Sequence, residues 1–164
     1  MSAEPSFELV ETERLKVHEK VVPGQVRRLT RELRSTGVVS DPILVDRESL
    51  VILNGHHRYA ALRALGAKRI PTWMVDYDDP SVRLGRWSPG PSISKREVRE
   101  RATSGKPFPP KTTRHHLPSD LPPHPTQLAD LMVPADPSFD TAHAGGDGPG
   151  TSGRGAPRRS PRSG

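Results

Sequence analysis

The chain has 164 residues, room for one domain of ordinary size, yet only 32% are hydrophobic and 4% aromatic, below the apolar share of about 45–50% (Gly included) usual for globular proteins. It holds no Cys, which excludes disulfides, thiolate catalysis and Cys-ligated metal centres, and no apolar run approaches the roughly 18 residues of a membrane span. The net charge is +6, and four Arg against five Asp after Leu117 place the whole positive excess in the first 117 residues, a balance that suits a phosphate-bearing partner.

Met1 to Glu13 is acidic and lacks the apolar stretch of a leader, so a cytoplasmic protein is expected. Residues 1–14 read as an arm or first strand, with Leu9, Leu15 and Val17 leading to His18-Glu19. A basic amphipathic helix follows Pro23-Gly24, with Val26, Leu29 and Leu33 on one stripe, arginines around the rest and Gly37 as its stop. Asp41 to Asp46 and Leu50 to Leu53 read as two strands joined through Arg47-Glu48-Ser49, a hairpin. Ala60, Ala61, Leu62 and Leu65 then recur at helical spacing up to Gly66, so Asn54-Gly55 must be a strand-to-helix turn with Asn54 as the N-cap. Arg69 to Asp76 reads as a further strand, its Pro71 suggesting an edge position or a strand start. Val82 to Trp87 shows no regular pattern.

The next helix carries the clearest signals. Ser94 and Glu97 form a capping box, Ile93 and Val98 a hydrophobic staple, and Gly105 the residue after the last turn. It leads into Lys106-Pro107-Phe108-Pro109-Pro110-Lys111-Thr112-Thr113-Arg114-His115-His116, where prolines stiffen the approach to a run of cations, hydroxyls and imidazoles. From Pro118 onward Pro, Gly, Ser, Thr and Asp dominate, and residues 118–164 are expected to be disordered.

Two clusters therefore suit an anion. At Asn54-Gly55-His56-His57-Arg58 the free N–H groups of a helix start stand beside imidazoles and a guanidinium, and Lys111 to His116 offers a second such group. Neither matches a Walker loop, a Rossmann fingerprint or a protein-kinase signature. The adjacent His pairs lack an obvious third ligand, so no protein-bound metal is expected.

These residues resemble the ParB/sulfiredoxin superfamily domain, an α/β fold in which a Gly-His-x-Arg turn binds nucleotide phosphates. The segments that carry the resemblance are Asp41 to Val45, Asn54 to Leu62, Ile70-Pro71 and Val75-Asp76-Tyr77. His18-Glu19, Gly85-Arg86-Trp87 and Pro107 to His115 look like those of the free-serine kinases within it. The resemblance covers roughly residues 15–117. It implies phosphorylation of L-serine to O-phospho-L-serine with ATP or ADP as donor and Mg2+ on the nucleotide. It further implies that Glu19 is the base on the serine hydroxyl, that Gly55, His56, His57 and Arg58 hold the phosphates, and that Trp87, Thr113, Arg114 and His115 bind serine and the transferred group.

One position departs from that pattern, because the kinases have Asp where this chain has Asn54. Asn caps a helix as well as Asp but lacks the charge, which keeps a second reading open, a catalytically impaired nucleotide- or phosphoserine-binding regulator. Sulfiredoxin chemistry is excluded, since it needs a Cys at the His56 position. ParB-type DNA clamping is not expected either, because no helix-turn-helix pattern follows the domain.

Overall fold

A computed structural model of the chain describes residues 4–134. Its central sheet has the order β1-β5-β3-β4, formed by β1 (Ser6–Glu11), β3 (Ile43–Asp46), β4 (Ile52–Asn54) and β5 (Arg69–Val75). β1 runs antiparallel to β5, β5 parallel to β3, and β3 antiparallel to β4, which gives a mixed sheet. Two ribbons lie outside it: β2 (Val38–Val39) with β8 (Thr126–Gln127), and β6 (Arg83–Arg86) with β7 (Thr113–His116), both antiparallel. The helices are α1 (Pro23–Thr36), α2 (His56–Ala64), α3 (Lys95–Ser104) and the single turn α4 (Leu128–Leu131). This is the expected α/β fold.

Strand alternation divides the apolar residues between the two faces of the sheet. Ile43, Val45, Ile52, Ile70 and Met74 join Leu33 of α1, Ala61 and Leu62 of α2 and Leu131 of α4 in one buried cluster. Leu44, Val51, Leu53 and Val75 point the other way, toward Tyr77, Val82, Val98 of α3 and Phe108. α1 starts with Pro23 at its first turn and stops where Gly37 enters the left-handed region (φ 71°), its N–H donating to the Leu33 carbonyl at 2.8 Å. The helix after Ile93 has its expected cap, with Ser94 Oγ accepting from the Glu97 N–H at 3.0 Å and Gly105 at φ 75°.

α3 is fastened to the sheet by one cation. The Arg99 guanidinium bonds the Asp46 carboxylate at 3.1 Å and Asp78 at 2.9 Å and lies over the Tyr77 ring at 5.0 Å. Burial alone would push the Asp46 carboxyl up, but hydrogen bonds from Ser49 and the Glu48 N–H and the charge of Arg99 outweigh it and hold the carboxyl below its usual range.

Three expectations need correction. Pro71 is not on an edge strand, since β5 lies between β1 and β3. The parallel ladder with β3 begins only at Thr72, so Pro71 faces a neighbour on the β1 side alone, and its missing N–H deprives no second strand of a bond. Asn54 is not the cap of α2. It is the last residue of β4, and Gly55 takes the cap position at φ 99° with no side-chain bond. Only glycine fits there, because a Cβ would lie 2.6 Å from Ile43 Cγ2 in addition to the strained φ.

The third correction concerns the domain boundary at Leu117. Residues 118–134 run back over the domain. His124 N–H donates to the Ser40 carbonyl at 3.0 Å, Leu128 N–H to Gly37 at 2.9 Å, and the Lys68 N–H to Leu131 at 2.7 Å. Leu131 is fully buried, and the His124 ring stacks on Phe7 at 3.5 Å. A few apolar residues suffice because the body of the domain supplies both the receiving groove and the backbone partners. The expectation of disorder over residues 135–164 lies outside the described residues.

Candidate active site

The turn from β4 into α2 lines a cavity of about 400 Å³ bounded by Glu19, Leu29, Asn54, Gly55, His57, Arg58, Trp87, Lys111 and Thr113. Asn54 and Arg58 also border a second cavity of about 470 Å³, whose walls include Asp41, Trp73, His115, His116 and Asp120. The first intrahelical bond of α2 runs from the Tyr59 N–H to the Gly55 carbonyl at 2.9 Å. The amides of His56, His57 and Arg58 are therefore the helix's unpaired first donors, at the positive end of its dipole.

The two histidines of the turn do not act as cations. His56 is buried, and its Nε2 accepts the His18 N–H at 3.2 Å. His57 Nε2 accepts the Val22 N–H at 2.9 Å and so holds the start of α1. Burial lowers the basicity of both; for His56 the neighbouring His18 and His115 add to it, and for His57 Lys111 does. Each ring is a neutral acceptor at Nε2, so each carries its proton on Nδ1. Positive charge at the cavity comes from Arg58 and Lys111. Burial also depresses the Arg58 guanidinium, with Asp41 opposing, and the group remains a cation throughout the ordinary pH range.

Glu19 stands on the opposite wall, in a nest made by the segment after the prolines. Its Oε2 accepts the Lys111 N–H at 3.0 Å, and its Oε1 accepts the Thr112 N–H at 3.2 Å, the Thr113 N–H at 2.9 Å and the Thr113 hydroxyl at 2.8 Å. Lys111 adopts a left-handed φ of 58° to aim these amides together. The strap that carries them is tied to the same stretch of chain, Phe108 N–H to the His18 carbonyl and Lys20 N–H to the Phe108 carbonyl, each at 2.8 Å. The His18-Glu19 pair and the proline-rich motif are therefore one structural unit.

The other two expected motifs also turn out to be one unit. Gly85 pairs with Arg114 and Arg86 with Thr113 across the β6–β7 ribbon, so the segment without a sequence pattern is a strand. Exposed Trp87 follows it with its N–H on the Thr112 carbonyl at 3.2 Å and its ring 4.2 Å from the Arg114 guanidinium. His115 faces inward instead. Its Nε2 lies 2.7 Å from the Tyr77 hydroxyl, and burial, with His18 adding, lowers its pKa to about 3. Thus Glu19, Asn54, Gly55, His56, His57, Arg58, Trp87 and Thr113 share the first cavity, His115 borders the second, and Arg114 lies at the rim through Trp87.

Sequence reasoning placed Lys111 in the second anion-suited run without giving it a role at this cavity, which it lines, and missed His18, which is fully buried with Nδ1 2.8 Å from the Ile52 carbonyl and Nε2 2.9 Å from the Thr113 hydroxyl. The pairing of His18 with Glu19 in the motif was the available signal. Among the described residues, no three His, Cys, Asp or Glu side chains sit together as a metal-binding group, and no helix is long and apolar enough to cross a membrane.

The mixed sheet whose last hairpin strand turns through glycine into a His-His-Arg helix at a polar cavity is similar to ParB/sulfiredoxin-like α/β domains. Within that class the similarity runs to free L-serine kinases. The chain is 39% identical over 85 residues to the ATP-dependent L-serine kinase of Staphylothermus marinus, covering 49% of this chain and 34% of that protein. It is 30% identical over 99 residues to the ADP-dependent L-serine kinase of Thermococcus kodakarensis, covering 58% of this chain and 41% of that one. It thus spans between a third and a half of the length of these curated relatives. A solved free serine kinase in complex with AMP superposes with a TM-score of 0.70 at 18% identity, over 79% of this chain and 95% of that one, and what is shared at that identity is the fold. No protein-family model matches the chain.

Proposed function

We propose that the domain is a free L-serine kinase that transfers a phosphoryl group from ATP or ADP to the serine hydroxyl, giving O-phospho-L-serine. The observation that carries this reading is the placement of a fixed carboxylate, Glu19, on the wall of the cavity into which the amide-rich start of α2 and Arg58 also face. Phosphoryl transfer asks for alignment and for stabilisation of charge on the moving oxygens more than for covalent chemistry. The amides of His56, His57 and Arg58, the Arg58 guanidinium and the Lys111 ammonium supply that charge, and Glu19 takes the hydroxyl proton. The Arg114 guanidinium on the exposed Trp87 ring suits the carboxylate of the amino acid at the rim.

The electrons balance simply. The serine oxygen forms a bond to the terminal phosphorus, the bond from that phosphorus to the bridging oxygen breaks, and its electron pair leaves on the shortened nucleotide. Mg2+ would neutralise the nucleotide phosphates. The described side chains form no site for it by themselves; the nucleotide would hold it.

Asn54 supports the second reading, a nucleotide- or phosphoserine-binding regulator, because an amide borders both cavities where the kinases place a carboxylate. One experiment separates the two: incubation with L-serine, Mg2+ and either nucleotide, with phosphoserine read by mass spectrometry. Product supports the kinase. Nucleotide binding without product under any condition refutes it and leaves the regulator.

A further inference from the structure

Behind Glu19 the hydrogen-bond chain continues into the core, and it can be checked for protons link by link. The Ile52 carbonyl, 2.8 Å from His18 Nδ1, can only accept, so Nδ1 carries a hydrogen. The next link joins His18 Nε2 to Thr113 Oγ1 at 2.9 Å, and the last joins Thr113 Oγ1 to Glu19 Oε1 at 2.8 Å. Each of the three contacts needs one hydrogen. A neutral His18, the single hydroxyl proton of Thr113 and an ionised Glu19 bring two between them. One contact is then lone pair against lone pair, and it lies between a fully buried imidazole and a threonine 7% exposed, where no solvent can relieve it.

We infer that Glu19, Thr113 and His18 form a proton-accepting relay in which one added proton completes the chain, so that His18 and Thr113 extend the base presented to the substrate hydroxyl. The inference rests on the kinase reading for its substrate. A proton arriving on Glu19 makes Oε1–H donate to Thr113 Oγ1 while the Thr113 hydroxyl donates to His18 Nε2. Shifting both hydrogens one place leaves Glu19 a carboxylate again and His18 an imidazolium, with Oγ1 now donating to Glu19 and accepting from Nε2. Every contact is filled in either form. No bond other than O–H and N–H changes, and the proton returns to solvent through Glu19, which borders the cavity.

His18 and Thr113 therefore act through Glu19 and are positioning residues. Other groups bear on the same proton. The His56 ring lies edge-on to His18 at 4.6 Å and the His115 ring at 5.9 Å, both neutral, while Lys111 and His57 face Glu19 from the cavity side. Burial disfavours the His18 cation, and the charge of Glu19 opposes that effect. The relay exploits this opposition, since Glu19 and His18, joined through Thr113, share one proton.

The test uses Thr113→Val in the full chain, which keeps the shape and removes the hydroxyl, with Thr113→Ser as its rescue. Phosphoserine formation should fall about tenfold or more in kcat with nucleotide KM little changed. The acid limb of the pH profile should move to lower pH by about one unit, because the chain to His18 is then cut, and Thr113→Ser should return it. An unmoved limb with Glu19→Gln inactive overturns the relay and leaves the kinase standing. If the wild-type chain makes no product, the relay is still decided by nitrogen NMR of His18. Its titration midpoint should drop by about one unit or more in Thr113→Val, where the cation has lost its acceptor, and an unchanged midpoint refutes the relay.

Discussion

Cutting the chain after Leu117 should unfold a large part of its stability, although the segment removed contains few apolar residues. The structure sets the magnitude. Leu131 is fully buried among Leu33, Ala67 and Ile70, and Leu128 and Met132 pack against the same cluster. Replacing a buried Leu by Ala costs about 2–5 kcal/mol. A domain of this size loses about 3–4 °C in Tm per kcal/mol, so Leu131→Ala alone should lower Tm by roughly 6–20 °C. The truncation also strips the β2–β8 ribbon and the partners of Lys68, Gly37 and Ser40, and should exceed the point variant. Thermal melts followed by far-ultraviolet circular dichroism compare the full chain, Leu131→Ala and the truncation. A truncated chain melting within about 2 °C of the full one would refute the packing argument.

Other outcomes can be checked together. Glu19→Gln should lower phosphoserine turnover by a factor on the order of 10² or more, with nucleotide affinity by calorimetry nearly unchanged; wild-type turnover would remove Glu19 from the mechanism. Asn54→Asp should raise phosphoserine formation if the site is a kinase short of one carboxylate. Because Gly55 and not Asn54 is the cap of α2, Tm should hold, and peptide mass analysis must rule out deamidation of the Asn54-Gly55 pair in the comparison sample. Burial holds the imidazoles of His18, His56 and His115 below the ordinary histidine range. The unfolded chain therefore takes up protons first, and stability should fall as pH drops below about 6.5. A Tm flat between pH 7 and pH 4.5 would contradict this. Asp46 acts at lower pH: its depressed carboxyl contributes stability above the ordinary Asp value that is lost on further acidification, and Asp46→Asn should flatten that part of the curve.

What could be read from the sequence was what short-range chemistry determines. Ser94, Glu97 and Gly105 mark α3, Pro23 and Gly37 bracket α1, and the apolar runs on either side of Arg47-Glu48-Ser49 form the hairpin, because caps, turns and periodicity act within a few residues. The β6–β7 ribbon was not legible, since Gly85 meets Arg114 only when the whole of α3 and the proline strap lie between them. Nor was the inward turn of His56, His57 and His115: a histidine in a polar run looks like a cation until the group its ring meets, the His18 N–H, the Val22 N–H or the Tyr77 hydroxyl, is known. Position 54 misled for a related reason. Asn is a good cap by type, but the left-handed φ moved the cap to Gly55.

The approach of Gly55 to β3 also limits how the sequence can change over generations. A Cβ there would meet Ile43 at three depths: Cγ2 at 2.6 Å, Cβ at 2.9 Å and the backbone Cα at 3.3 Å. Trimming Ile43 to valine leaves Cγ2 in place, alanine still leaves Cβ, and even glycine at 43 leaves the Cα. The φ of 99° remains a barrier regardless. Position 55 therefore has no compensating partner, and no sequence of small steps leads away from glycine. Drift must pass around this turn and collect at neighbours such as 54, whose exposed side chain can be exchanged without disturbing the backbone it stands on.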